Sequence, residues 1–156
     1  MTYKQLFGSG PTGILGTVLI WIFALNIGRF FQIFPINMNE TFRWALIIFF
    51  IIDAVVMVLW SQIALNPNKR GKELVTSGPF RLVRHPLYST VIWSGTGLVA
   101  IYQLSWAVVL SVILIHYFWI WHIKQEEDFM IEKFGDVYKE YMETTGQFFP
   151  KLSKKE

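Results

Sequence analysis

Two long apolar runs decide most of what this chain can fold into. They extend from Gly13 to Phe34 and from Trp44 to Leu65. At a helical rise of ~1.5 Å per residue, about 22 residues reach ~33 Å, enough to cross a hydrocarbon core of ~30 Å. Two further runs, Tyr88 to Tyr102 and Ser105 to Ile123, are separated only by Gln103 and Leu104, so they form a tight helical hairpin. The first of these, at ~22 Å, is short for crossing alone and either thins the bilayer or leans on its neighbours. A hydrophobic fraction of 53% with 17% aromatics in 156 residues agrees with a membrane class. The expectation is an all-α, multi-pass membrane protein with four transmembrane helices. It forms one domain over residues 1–156, with two N-terminal helices in 13–65 and a ligand-binding half in 66–156.

The first run continues into Phe30 and Phe31 without a small-residue cleavage site, and so reads as a retained helix rather than a leader. Lys69, Arg70, Lys72, Arg81 and Arg84 follow the second run, and Lys124, Lys133, Lys139, Lys151, Lys154 and Lys155 follow the fourth, whereas the loop between the first two has only Arg29 and Arg43 at its margins. The positive-inside rule then places both termini in the cytosol, for a bacterial inner membrane or endoplasmic reticulum. Trp44, Trp60, Trp106 and Trp121 suit interfacial positions. The net charge of +3 is accounted for by these flanks and implies no nucleic acid partner. The absence of cysteine excludes disulfides, thiolate metal sites and cysteine nucleophiles.

Beyond the fourth run, Met130, Phe134, Val137, Tyr138 and Tyr141 follow the spacing of an amphipathic helix, with Gly135 placed to break it in two. Such a helix lies on the membrane surface or closes over the polar loop.

The polar loop ends in GPFRLVRHPLYS, Gly78 to Ser89. Pro86 fits the first turn of a helix, and it pushes His85 toward extended geometry. The start of that helix, with its unpaired N–H groups and positive dipole end, would share a pocket with Arg84 and His85, a combination suited to a carboxylate or phosphate. Arg84 adds a planar fork for bidentate pairing. Glu126 and Glu127 emerge on the same side, where they can accept from ribose hydroxyls or pair with an ammonium group. Taken singly, each has a plainer account as anchor, cap or solvated pair; the combination in this order shifts the balance.

The elements RHPLY, then EE, then FGDVYKEY and Pro150 resemble the isoprenylcysteine carboxyl methyltransferase family and the related membrane phospholipid methyltransferases, over Gly78 to Pro150. The resemblance implies methyl transfer from S-adenosylmethionine to a lipophilic small molecule or lipidated substrate that arrives from the surrounding membrane lipids. It implies a cofactor site of His85, Tyr88, Glu126 and Glu127, with Arg84 near the reacting end. Gly78, Pro86, Gly135, Tyr138 and Tyr141 would shape or close the pocket. Where carboxyl-methylating members resemble Y-x-x-Y-x-x-R, this chain has Thr144 at the arginine position, so Arg81 or Arg84 must serve any acidic acceptor. The resemblance therefore extends to methyl transfer and not to the carboxylate acceptor. Two other readings stay open: an NADPH-dependent sterol-type reductase, which has a similar HPxY element, and a non-catalytic binding or assembly protein that keeps the fold.

Three smaller expectations complete the reading. Asn26 and Asp53 reach similar depth in antiparallel helices and are expected to touch. His116 and His122 lack the spacing of a zinc helix, so no metal is expected, and His122 is expected to pair with Glu126. Thr90, Ser94 and Gly97, like Gly10, Gly13 and Gly16, provide small faces for close helix contact or room for a ligand, packing being the plainer account.

Overall fold

The computed structural model describes residues 9–65 and 73–151, which are helical without strands among the described residues. Helix α1 is Gly10–Phe30 and α2 is Glu40–Ala64. A 3₁₀ turn at Gly78–Arg81 leads into α3, residues 86–103, and then α4, Trp106–His122. Two short helices follow, α5 at Lys124–Phe134 and α6 at Asp136–Thr144. The cationic cluster Lys69, Arg70 and Lys72, and also Lys154 and Lys155, lie outside the described residues.

Three helical stretches are long and apolar enough to cross a membrane: Gly10–Phe30, Glu40–Ala64, and the one that begins at Trp106. The expected third span differs, because α3 is not one regular helix. Its α-helical ends, Pro86–Thr90 and Thr96–Gln103, flank a π turn at Val91–Gly95. The hairpin itself is as expected: Leu104 adopts a left-handed conformation at φ 51°, and Ser105 then caps α4 by accepting from the Val108 N–H at 3.4 Å. Arg43 closes the same end, with Nη2 donating to the Tyr102 carbonyl at 2.8 Å. A cation there satisfies the free carbonyls and the negative end of the α3 dipole.

The hairpin lies between the first two helices: α1 packs on α4, and α2 packs on α3 and on the 3₁₀ turn. This corrects the expected contact of Asn26 with Asp53. Asn26 Nδ2 instead donates to its own helix at the Ile22 carbonyl, 2.7 Å away, and Asp53 accepts a short hydrogen bond from Ser94 on the π turn. Which faces meet was not readable, because α1 and α2 are predominantly apolar.

The small residues act in packing. A Cβ on Gly13 would lie 2.3 Å from the Trp119 ring, one on Gly16 2.4 Å from Phe118, and one on Gly97 2.4 Å from Phe50. Trp119 is fully buried, and its indole N–H donates to Thr17 Oγ1 at 2.9 Å. Gly13→Val is therefore expected to displace Trp119 and destabilise the fold by about 1–3 kcal/mol, the usual cost of overpacking. Thermal unfolding in detergent checks it, and an unchanged midpoint would contradict the α1–α4 contact.

Candidate functional site

The polar centre forms where α3 begins. Pro86 occupies the first turn and is fully buried, and His85 before it has φ −126° and ψ 68°, the displaced geometry expected ahead of proline. The segment carrying Arg84 and His85 runs beside residues 145–150, the strap that follows α6. The Arg84 N–H donates to the Gly146 carbonyl at 2.8 Å and that of His85 to the Gln147 carbonyl at 3.1 Å. Ser89 Oγ donates to the Phe148 carbonyl at 2.7 Å. The strap turns back so sharply that a Cβ on Gly146 would fall 1.8 Å from the Phe149 carbonyl oxygen, and only glycine fits.

Glu127, on the first turn of α5, is the hub. Its Oε1 accepts from Arg84 Nε at 3.0 Å, Arg84 Nη2 at 2.8 Å and His85 Nε2 at 3.1 Å, while Oε2 accepts from Gln147 Nε2 at 3.0 Å. The remaining Arg84 nitrogen donates to the Thr145 carbonyl at 2.6 Å. The Arg84 and Glu127 side chains are only 9% and 11% exposed. This geometry holds the carboxylate as an anion, since the guanidinium stays charged and an ionised carboxylate only accepts.

Glu126 forms a second, more open centre. Its Oε2 accepts from the Tyr88 hydroxyl at 3.1 Å and from the Ser9 N–H at 3.2 Å, and its side chain is 29% exposed. The Tyr88 ring stacks on His85 with centroids 5.5 Å apart, and on Trp119 at 4.5 Å. The expected pairing of His122 with Glu126 is corrected. His122 Nε2 donates to the Ser9 carbonyl at 3.1 Å and lies 3.0 Å from Thr12 Oγ1, so the start of α1 stands between the two residues.

The expected helix break is present: Gly135, at φ 56° and ψ −132°, separates α5 from α6. The turn brings Tyr138 and Tyr141 inward, 2% and 8% exposed, while Val137 of the predicted apolar stripe faces outward. Tyr141 donates a short hydrogen bond to the Phe80 carbonyl, which ties α6 to the 3₁₀ turn. Burial pushes the Tyr141 phenol up to about 12. Burial and the nearby Glu127 charge push Tyr138 higher still. Both hydroxyls keep their protons at neutral pH.

Arg84, His85, Tyr88, Glu126 and Glu127 thus converge, with Pro86 beneath them and Tyr138 alongside. Gly78 and Arg81 stand apart. Gly78, at φ 61°, fits against Ala64 and Trp60 at the end of α2. Arg81 lines an open recess of about 380 Å³ with Thr76, Glu140, Tyr141 and Thr144, so it shares the neighbourhood of the residue at the family arginine position. Sequence reasoning missed Gln147, the strap carbonyls and Ser9. None of them belongs to a periodic pattern, and each is recruited by the chain path alone.

Comparison with known proteins adds to this geometry. A family model described as phospholipid methyltransferase matches residues 12–137. The nickel-cobalt-cadmium resistance protein NccN of Alcaligenes xylosoxydans xylosoxydans is 29% identical over 102 residues, 64% of this chain and 46% of that protein. The cobalt-zinc-cadmium resistance protein CzcN of Cupriavidus metallidurans is 30% identical over 103 residues, 64% of this chain and 45% of that protein. The matched stretch spans less than half the length of either curated relative.

Proposed function

Since the chain belongs to the phospholipid methyltransferase family, we propose that it is an integral-membrane enzyme that moves a methyl group from S-adenosylmethionine to a lipophilic acceptor at the cytosolic interface. In this reading α3 crosses or deeply enters the bilayer as a fourth apolar helix, and both termini are cytosolic. The observation that carries the proposal is the convergence of Glu126 and Glu127 on Arg84, His85 and Tyr88, across 38 to 43 positions of sequence.

The donor set suits this cofactor. S-adenosylmethionine presents a sulfonium, an ammonium, a carboxylate and ribose hydroxyls, and when bound it supplies an electrophilic methyl carbon and a neutral thioether leaving group. Glu126, whose side chain is 29% exposed, is assigned to the ammonium or ribose. Glu127 is assigned to electrostatic support of the cation, and His85 and Tyr88 to a flat aromatic wall beside it. Arg84 is the positioning residue: with its nitrogens on Glu127 and the Thr145 carbonyl, it fixes the carboxylate and the strap. The task of holding an acidic part of a ligand passes to Arg81 at the outer recess. Displacement at a methyl group asks little more of the protein than alignment and exclusion of water. Both are tasks for a helix-bound cluster under a strap.

The names of the two relatives concern metal resistance. For this chain we assign methylation of a membrane component rather than metal binding. The chain has no cysteine, and no group of three His, Asp or Glu side chains able to hold a metal occurs among the described residues.

Calorimetric titration of the detergent-purified protein tests the proposal. S-adenosylhomocysteine is expected to bind, and NADPH, whose phosphates face two carboxylates here, is expected not to. Failure of folded protein to bind S-adenosylhomocysteine would refute methyl transfer, and binding of NADPH alone would favour a reductase.

A further inference from the structure

Glu126 is held by an element that lies outside the motif-bearing segment Gly78 to Pro150. Its Oε2 accepts from two donors, the Tyr88 hydroxyl at 3.1 Å and the Ser9 N–H at 3.2 Å, the second across 117 positions of sequence. Its Oε1 lies 4.0 Å from His85 Nδ1, beyond hydrogen-bond reach. The last torsion of a glutamate side chain is soft, so a carboxylate held by one hydrogen bond pivots about it. A second donor on the same oxygen fixes the direction of the other.

Ser9 is free to be that donor because of its place at the start of α1. The first N–H groups of a helix have no partner within it. Ser9 has φ −85° and ψ 0°, and its side chain makes no capping bond. Glu126 supplies an acceptor from α5, at the end of α1 where the helix dipole favours negative charge. The start of α1 also rests on Tyr88, since a Cβ on Gly10 would lie 3.6 Å from that ring.

Ser9 is gripped on its other side by α4. Its carbonyl accepts from the Gly13 N–H at 2.9 Å, within α1, and from His122 Nε2 at 3.1 Å. A carbonyl only accepts, so Nε2 carries a proton. Thr12 Oγ1 completes the group, 3.0 Å from Nε2 and 3.2 Å from the same carbonyl. The His122 ring is in turn stacked on Phe118, with centroids 5.2 Å apart and planes 20° from parallel. His122 ends α4 and Glu126 lies in the first turn of α5, so the junction of these two helices holds Ser9 from both sides.

We propose that His122 is a positioning residue for methyl transfer: by fixing the Ser9 carbonyl it keeps the Ser9 N–H on Glu126 Oε2, so that Oε1 meets the ammonium or ribose of the cofactor in a set direction. The inference rests on the methyl-transfer reading and adds the start of α1 to the working parts of the pocket. Glu126 and Tyr88 touch the ligand; Ser9, Thr12 and His122 act through them. A helix cap alone would need Ser9 and Glu126 but not the third residue.

Two substitutions at one position separate the hydrogen bond from the packing. His122→Phe keeps a ring on Phe118 and has no donor, whereas His122→Gln keeps a donor without the ring. In calorimetry on the detergent-purified protein, S-adenosylhomocysteine affinity is expected to fall about tenfold in His122→Phe, the scale of one well-placed hydrogen bond, and to recover most of that in His122→Gln. In a Glu126→Ala background, His122→Phe is expected to cost no further affinity, because the carboxylate through which it acts is gone. Unchanged affinity in His122→Phe, or equal losses in His122→Phe and His122→Gln, would overturn the positioning role. So would a loss that persists without Glu126, since a residue that merely packs weakens the site whether or not that carboxylate is there. Each of these failures leaves binding by the unmodified protein intact and spares the methyl-transfer reading. Unmodified, folded protein that binds no S-adenosylhomocysteine refutes that reading and the positioning role together.

Discussion

Glu127→Ala is expected to lose both stability and ligand binding, with a cost to the fold of about 3 kcal/mol, the lower end for breaking a buried ion pair. The reason lies in what is left behind. Arg84 Nε and Nη2, His85 Nε2 and Gln147 Nε2 all donate to this one carboxylate, and its removal strands them in a site where the Arg84 side chain is 9% exposed. Glu127→Gln separates the two effects. The amide oxygen still accepts, so the thermal midpoint in detergent falls less, but the negative charge that favours a cationic ligand is gone. Calorimetry should then show S-adenosylhomocysteine, which has no sulfonium, losing less affinity than S-adenosylmethionine. If Glu127→Ala unfolds at the same temperature as the unmodified protein, the buried network is not as described.

The second large effect is expected at Trp119. It is fully buried, its N–H donates to Thr17 Oγ1, and its ring fills the notch at Gly13 and stacks on Tyr88. Trp119→Ala leaves a cavity at the junction of α1, α3 and α4, for which about 3–5 kcal/mol is the ordinary cost. Trp119→Phe keeps most of the volume but abandons Thr17, and a smaller loss is expected. Detergent melting curves for the two variants provide the ranking. Equal midpoints for alanine and phenylalanine would mean that the indole volume is not what joins the helices.

What was legible from the sequence divides along physical lines. The apolar runs, the proline-started α3, the tight hairpin and the glycine break between α5 and α6 were all readable, because each depends on local composition or on a residue with restricted backbone options. The meeting of Glu126 and Glu127 with Arg84, His85 and Tyr88 was readable too, since hairpin topology brings both segments to one end. Lateral choices were not. Asp53 meets Ser94 and not Asn26, and His122 meets Ser9 and not Glu126, because a helix apolar on all sides carries no mark of the face it will bury. The strap was hidden for a different reason. Gln147, Phe148 and Phe149 follow no period, and their places are set by hydrogen bonds to the backbone of Arg84 and His85. Arg81 was paired with Arg84 as a stand-in for the arginine absent at Thr144, and the 3₁₀ turn sends it to a separate recess beside Thr144.

Tyr88 has one further consequence. Its ring rests on Trp119 in the apolar interior, and its hydroxyl donates to Glu126 among the charges. A bilayer that is too thick or too thin for α4 is accommodated by a change in helix tilt. Any tilt that moves Trp119 also moves the tyrosine lying on it, and with it the oxygen that orients the carboxylate. The stack and the hydrogen bond together couple the position of α4 to the orientation of Glu126.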